Sequence, residues 1–302
     1  MKPPPFEYDA PSSVDEALAL LATHGTDAKV LAGGQSLVPL LNFRLARPAR
    51  IVDVNGLGEL TLLSRRGGHL HIGAMTRQSV LERSTLVADH WPLLHQAMGY
   101  VAHAQLRNRG TVGGSIAHAD PAAELPVALA ALGGSVVVRS LRGERVIQWE
   151  DLFITHLTTS LEPDELLVEV RVPPMPMRTG TAFKEYSRRH GDFALGGAAV
   201  SVTVDESGLC ERAAVALLAA APTPVRATQA EKILVGRKVD LDTAREAAAL
   251  AVSDLYPTGD IHGDSNYRRQ LIEAMVRRAI MAAAKRLPPE GASALPEGKS
   301  SE

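Results

Sequence analysis

The segment TVGGSIAHADPAAE, residues 111–124, puts two hydroxyls (Thr111, Ser115), a glycine pair (Gly113, Gly114) and two spaced acids (Asp120, Glu124) into one short run. A hydroxyl–glycine turn can donate hydrogen bonds to a phosphate, and an acid a few residues on can accept them from ribose hydroxyls. A second glycine pair stands upstream in Ala32-Gly33-Gly34-Gln35-Ser36, directly after the short apolar strand Lys29-Val30-Leu31. Convergent backbone N–H groups in such a turn form a concave anion site, to which Gln35 and Ser36 add side-chain donors. Alone, Gly33-Gly34 reads as a plain turn between strand and helix. Together with 111–124 it points to a dinucleotide held without a Rossmann unit. The usual fingerprints are absent: there is no G-x-G-x-x-G after a strand, no G-x-x-x-x-G-K-[ST] and no H-E-x-x-H.

Outward from these segments, 12–23 reads as a helix with Ser12 or Ser13 as N-cap, Asp15 and Glu16 in its first turn and Gly25 as its stop. Strands are expected at 29–31, 50–54 and 70–73, and helix at 76–83 and 84–100, with Pro92 at a helix start or a kink. The 110–115 segment is expected as a second glycine turn, followed by an apolar helix over 121–132 that Gly133-Gly134 ends. Strands follow at 135–139, 145–148 and 166–172, and the Pro-rich 173–176 reads as a linker. Beyond it come strands at 182–188, 198–204 and 213–219, then helices at 226–234, 242–253 and 266–286. The last presents Leu271, Met275, Ala279 and Ala282/Ala283 on one face, with Arg268, Arg269, Arg277 and Arg278 largely elsewhere. The pattern is α+β: an N-terminal region of about 175 residues and a smaller C-terminal domain. The Pro-, Gly-, Ser- and Glu-rich 288–302 reads as a disordered end.

The 302 residues carry 32 Lys plus Arg against 34 Asp plus Glu, a formal charge of -2, which argues against a dedicated nucleic-acid binder. The single cysteine, Cys210, excludes a disulfide framework and any Cys-ligated zinc or iron–sulfur site built by this chain alone. No long apolar run follows the N-terminal lysine, and the longest apolar stretch, 213–221, is too short to span a bilayer. A cytoplasmic protein without a transmembrane segment is expected. His69 and His71 alternate on a strand with no third ligand in sight, so no metal site is expected there. His103 and His118, near the second glycine pair, read as structural histidines rather than acid–base groups.

Two longer runs, AGGQSLVPLLNFRLARP (32–48) and TVGGSIAHADPAAELP (111–126), resemble the paired FAD-binding signatures of the medium, flavoprotein subunits of molybdenum hydroxylases. That family includes the carbon monoxide dehydrogenase medium subunit and the FAD domain of xanthine dehydrogenase. PFEYDAPSSVDEALALL (5–21) and FKEYSRRHGDFALGGAAV (183–200) fit it in order. The resemblance implies an FAD-binding fold of the vanillyl-alcohol oxidase/p-cresol methylhydroxylase type over 1–176, in two subdomains (about 1–57 and 58–176). The family's C-terminal α+β domain would occupy 177–287.

On that mapping Ala32, Gly33, Gly34, Gln35, Ser36 and Leu37 would contact the FAD pyrophosphate, with Lys29 nearby. Thr111, Gly113, Gly114, Ser115 and Ala117 would continue the cradle. Asp120 and Glu124 would face ribityl or ribose hydroxyls, although many relatives carry Asp where this chain has Glu124. Leu161 would line the adenine or flavin pocket, and Lys184 and Phe193 would lie by the isoalloxazine, Phe193 having core packing as its alternative. No residue here is expected to act on the organic substrate. The resemblance also implies partners, a small iron–sulfur subunit and a large subunit with the molybdenum cofactor, paired into a heterohexamer. Electrons would pass through FAD to an external acceptor. A free-standing FAD oxidoreductase of the same superfold and a scaffold that has lost FAD remain the alternatives, separable by co-purifying chains and by flavin absorbance.

Overall fold

Three short parallel strands, β1 (Glu7–Asp9), β2 (Ala28–Leu31) and β3 (Arg50–Asp53), form the first sheet in the order β1-β3-β2. The computed structural model describes residues 2–288, so all but the first residue of the 288–302 tail lies outside the described residues. Parallel neighbours require crossovers, here carrying α1 (Val14–His24) and α2 (Leu37–Asn42). Ser13 starts α1 by accepting the Glu16 N–H at 3.2 Å, and the Glu16 carboxylate accepts the Ser12 N–H at 2.7 Å. Gly25 ends it with φ of 51°. The buried stripe Val14, Ala17, Leu18 and Leu21 packs on Ala28, Val52 and Val54, so α1 follows from its capping and its spacing.

The chain then builds β4 (Leu63–Arg66), β5 (His69–Gly73), β6 (Ser135–Ser140), β7 (Gly143–Gln148), the small hairpin β8 (Phe153–Thr155) and β9 (Thr158–Thr159), and β10 (Leu166–Val172). All but the hairpin join one antiparallel sheet in the order β4-β5-β10-β6-β7. Seven helices are inserted: α3 (Gln78–Arg83), α4 (Thr85–His90), α5 (Pro92–Met98), α6 (Ala104–Arg107), α7 (Val112–His118), α8 (Glu124–Leu132) and α9 (Trp149–Leu152). Pro92 splits the 84–100 run as its missing N–H requires, standing first in α5. The indole of Trp91 at the break is buried and donates to the Pro173 carbonyl at 2.8 Å.

Local competition corrects two boundaries. The 121–132 helix begins only at Glu124, because Asp120 accepts the Ala122 N–H on its carboxylate (2.8 Å) and the Ala123 N–H on its carbonyl (3.0 Å), holding 120–123 as a turn. The second glycine pair is not a turn. It lies in the first turn of α7, which Thr111 caps by accepting the Gly114 N–H at 3.1 Å.

A third, antiparallel sheet has the order β11-β12-β13-β14, with β11 (Thr179–Tyr186), β12 (Gly196–Val204), β13 (Cys210–Leu218) and β14 (Val225–Arg226). One face meets α10 (Thr228–Leu234), α11 (Leu241–Ala251) and α12 (Ser265–Ala284). The other sends Phe183, Ala199, Ala216 and Leu218 into the core that also holds α5, α8 and β10. Helix α12 buries Ile272, Val276 and Ile280 alongside Met275, Ala279 and Ala283. Arg268 departs from the expected polar face: it is 8% exposed, pairing with Asp260 at 2.7 Å and reaching the Leu195 carbonyl at 3.5 Å. Its long stem packs while its head finds two acceptors.

Gln96 of α5 fastens this sheet to the helices. It accepts the Phe183 N–H at 3.0 Å, donates to Thr181 Oγ1 at 3.1 Å and accepts from Arg286 at 3.2 Å. Replacing Gln96 by Ala leaves the edge-strand N–H of Phe183 without its acceptor. The expected loss is about 1–3 kcal/mol, read as a lower urea midpoint with an unchanged slope.

Candidate functional site

The first sheet ends in a crevice. Gly33 and Gly34 follow the carboxyl end of β2, and Asp53 closes the carboxyl end of β3, the side of a parallel sheet where ligands bind. A cleft of about 360 Å³ opens there, lined by residues that include Gly33, Gly34, Gln35, Asp53, Asn55 and Arg109. Val38 donates to the Gly34 carbonyl at 3.1 Å and Leu40 to the Ser36 carbonyl at 3.1 Å, winding 34–40 into α2. Among the described residues the N–H groups of Gly33, Gly34, Gln35 and Ser36 find no acceptor. Gln35 and Ser36 are exposed at the mouth of the crevice, Gly34 is partly buried and Gly33 is buried behind them.

The two glycine segments meet backbone to backbone. A Cβ on Gly33 would lie 2.3 Å from the Arg109 carbonyl oxygen and 2.8 Å from the Gly110 Cα. A Cβ on Gly113 would lie 2.6 Å from that of Ala74, and one on Gly114 would lie 2.6 Å from the capping Thr111 hydroxyl and 3.4 Å from Ala32. Close approach therefore explains three of the four glycines. Only Gly34, with φ of 74°, needs the left-handed region. The amides of the second segment are engaged: Val112 donates to Thr76 at 3.0 Å, Gly113 to Ala74 at 2.9 Å and Ser115 to Thr111 at 3.1 Å. This segment sends none of its side chains into the lining of the crevice; it holds Gly114 close behind Ala32, which does line it.

A polar frame missed by sequence reasoning surrounds the cleft. Asn55 donates to the Ala32 carbonyl and to Asp53, each at 2.6 Å, and accepts from Arg77 at 2.9 Å. Arg77 also donates to the Arg109 carbonyl, tying the frame to the facing wall. Burial pushes the Asp53 carboxyl up, but the Tyr8 hydroxyl at 2.6 Å, the Asn55 donors and the Arg109 charge outweigh it and hold it below the usual carboxylate range. Asp53 is thus a fixed anion. The signal was present in Asp53-Val54-Asn55 at the end of a strand, but nothing in that spacing names a partner.

Further along, Glu124 at the start of α8 is pushed up to about 7 by burial, with Asp120 adding to the rise. His118 is held below its usual value by burial and by the neighbouring charges of Lys29 and His156, against the pull of Asp120. Lys29 and Asp120 therefore lie within electrostatic reach of His118, and Ala117 before it is exposed. Leu37 is partly buried in α2, and Leu161 is partly buried against the core that holds α8. Lys184 is not brought to this cleft: it lines a separate one of about 730 Å³ with Met275, Arg278 and Lys285. Phe193 does not pack in a core either, being 75% exposed in the loop between β11 and β12.

Residues 4–175 match the family described as FAD binding domain in molybdopterin dehydrogenase, and residues 181–283 match the CO dehydrogenase flavoprotein C-terminal domain. The chain is 47% identical to the 6-hydroxypseudooxynicotine dehydrogenase complex subunit alpha of Paenarthrobacter nicotinovorans, over 96% of this chain and 98% of that one. It is 41% identical to the caffeine dehydrogenase subunit beta of a Pseudomonas strain, covering 95% of this chain and 97% of that one. In structure it matches a chain of carbon monoxide dehydrogenase from Hydrogenophaga pseudoflava with a TM-score of 0.93 and 39% identity, covering 95% of this chain and 100% of that chain. It belongs to the FAD-binding medium subunits of the molybdenum hydroxylases.

For this FAD subunit the Glu124 environment sets a pH dependence. Its folded carboxyl titrates near 7, above the ordinary value of 4.5, so the folded state keeps a proton that the unfolded chain releases. The cofactor-free chain should lose stability as pH rises from about 4.5 to about 7. Glu124→Gln, which cannot ionise, should flatten that fall in thermal melts taken across the interval.

Proposed function

We propose that this subunit holds one FAD noncovalently, its pyrophosphate against residues 33–36, and passes electrons from a partner iron–sulfur subunit to an external acceptor. The observation that carries the reading is the row of unengaged N–H groups on Gly33, Gly34, Gln35 and Ser36, presented where two parallel strands end. Phosphate oxygens are acceptors without donors of their own, which suits that row. In this reading the Thr111 and Ser115 hydroxyls add donors from outside the crevice lining, and Lys29 adds a positive charge. Ala32, Gly113, Gly114 and Ala117 keep the facing wall close, with Leu37 behind the turn.

Asp120 and Glu124 accept from ribityl or ribose hydroxyls in this reading. Leu161, Lys184 and the exposed Phe193 flank the ring at the far end of a long cofactor. FAD supplies a centre that accepts electrons singly and discharges them in pairs. Cys210 is the one cysteine and is buried, so this chain cannot ligate an iron–sulfur cluster and the electrons must arrive from another chain. The working assembly in this reading is a cytoplasmic heterohexamer of this subunit, a small iron–sulfur subunit and a large molybdenum subunit. Among the described residues no helix is long and apolar enough to cross a membrane. The domain division that goes with it is 1–176 for FAD binding and 177–287 for the C-terminal domain.

The test is to co-express the chain with its partner subunits and measure flavin in the purified complex. Expected are about one FAD per chain, since the described residues present one such phosphate cradle, its full release on denaturation, and co-elution of the two other subunits. Gly33→Val, whose Cβ would meet the Arg109 carbonyl oxygen at 2.3 Å, should remove the FAD and also lower the melting temperature of the flavin-free chain. Flavin left on the unfolded chain, or a monomer that turns over a substrate unaided, would overturn the reading.

A further inference from the structure

Glu185 lies on β11, the edge strand, on the face that carries Phe183 into the core beneath α5 and α8. Its cross-strand row runs through Gly197 to Leu218, and the next residue, Ala219, donates its N–H to the Pro121 carbonyl at 3.0 Å. That row carries Glu185 toward the 121–124 segment that leads into α8. On the α5 side stands Tyr100, whose ring is 5.4 Å from that of Phe183. Tyr100 and Glu185 together line the cleft of about 730 Å³ that also receives Lys184. One carboxyl oxygen, Glu185 Oε2, is withdrawn from water and has no hydrogen-bond partner. Native proteins leave few such groups unpaired, and those they leave call for an explanation.

We propose that Glu185 is a further cofactor-facing residue, whose carboxyl, between Tyr100 and Glu124, donates a hydrogen bond to an acceptor atom of bound FAD. The inference rests on the FAD reading above and extends it to a residue that the glycine signatures do not include. The chemistry is that of a neutral acid. Burial, with the nearby Glu124 adding to it, pushes the Glu185 carboxyl up to about 9, so at neutral pH it carries a proton and acts as a donor. The other groups facing it leave that state intact. Tyr100 is itself raised by burial and by Glu185, and stays neutral over the same range. Arg286 acts on Tyr100, while Lys184, Arg245, Arg277, Arg278 and Lys285 line the same cleft, and burial of the carboxyl outweighs their pull. A neutral donor suits a cofactor whose ring offers carbonyl oxygens and ring nitrogens as acceptors.

The experiment compares wild type, Glu185→Gln and Glu185→Leu in the co-expressed complex, stripped of flavin and titrated with FAD while flavin fluorescence is followed. Glutamine keeps a donor at every pH; leucine keeps none. At pH 7 the Gln variant should bind within about threefold of wild type and the Leu variant roughly tenfold more weakly, about 1.4 kcal/mol. Between pH 7 and 9.5 wild-type affinity should fall and that of the Gln variant should hold. Thermal melts of the flavin-free proteins control for folding, and the Leu variant should melt no lower than wild type, since it removes an unpaired polar group. Equal affinity of Leu and wild type, or the same alkaline fall in wild type and Gln, would overturn the role of Glu185. Failure of wild type itself to bind FAD would instead overturn the reading on which it rests.

Discussion

The contact on which the site depends is the approach of Gly33 to the backbone at Arg109 and Gly110. It joins the end of a parallel strand in one sheet to the approach of α7 in the next subdomain, with no room for a single methyl group. Neither side could hold the other by side-chain packing at that distance, so register is set by main chain alone. Gly113 repeats the device against Ala74 one layer deeper. Two glycine pairs that sequence reasoning read as two phosphate loops thus divide the labour. The first exposes donors; the second, with its amides spent inside the fold, backs the wall beside them.

Charge is arranged around this joint in two zones of opposite character. Near the crevice, Asp53 is kept anionic by donors from Tyr8 and Asn55, and Arg77 and Arg109 balance it. Near the seam with the C-terminal sheet, Glu124 and Glu185 are driven toward their neutral forms by loss of water. Permanent charge costs little where solvent still reaches, whereas in a closed seam a carboxyl takes up a proton instead. A carboxyl group is therefore held as an anion beside the crevice and driven toward its neutral acid at the seam.

Much of this was legible in the sequence, for reasons that can be named. Helix α1 follows from a serine cap, two acids and an apolar stripe, all local. The break at Pro92 follows from a missing N–H. What could not be read was decided across distance. Thr111 turned a presumed loop into a helix start by capping it. Asp120 delayed α8 by taking two amides. Arg268 went inside because Asp260 and a carbonyl awaited it. The frame of Asn55, Arg77 and Arg109 was invisible because its members touch only after three separate segments fold together. Glu185 stands in the 183–200 run that fits the family, but nothing in that run gives it a role; its place is set by strand register.

The third sheet lies between two cores, and its inner face completes the helical layer begun by α5 and α8. These helices are made well before the strands that cover them. A ribosome adding about 5–20 residues each second would reach Leu218 several seconds after Leu132. Throughout that interval the apolar faces of α5 and α8 lack their partner, and the N-terminal part cannot finish folding as an independent unit. Biogenesis of this subunit is therefore a problem of order in time: the cofactor's chamber closes only when the second half of the chain has emerged.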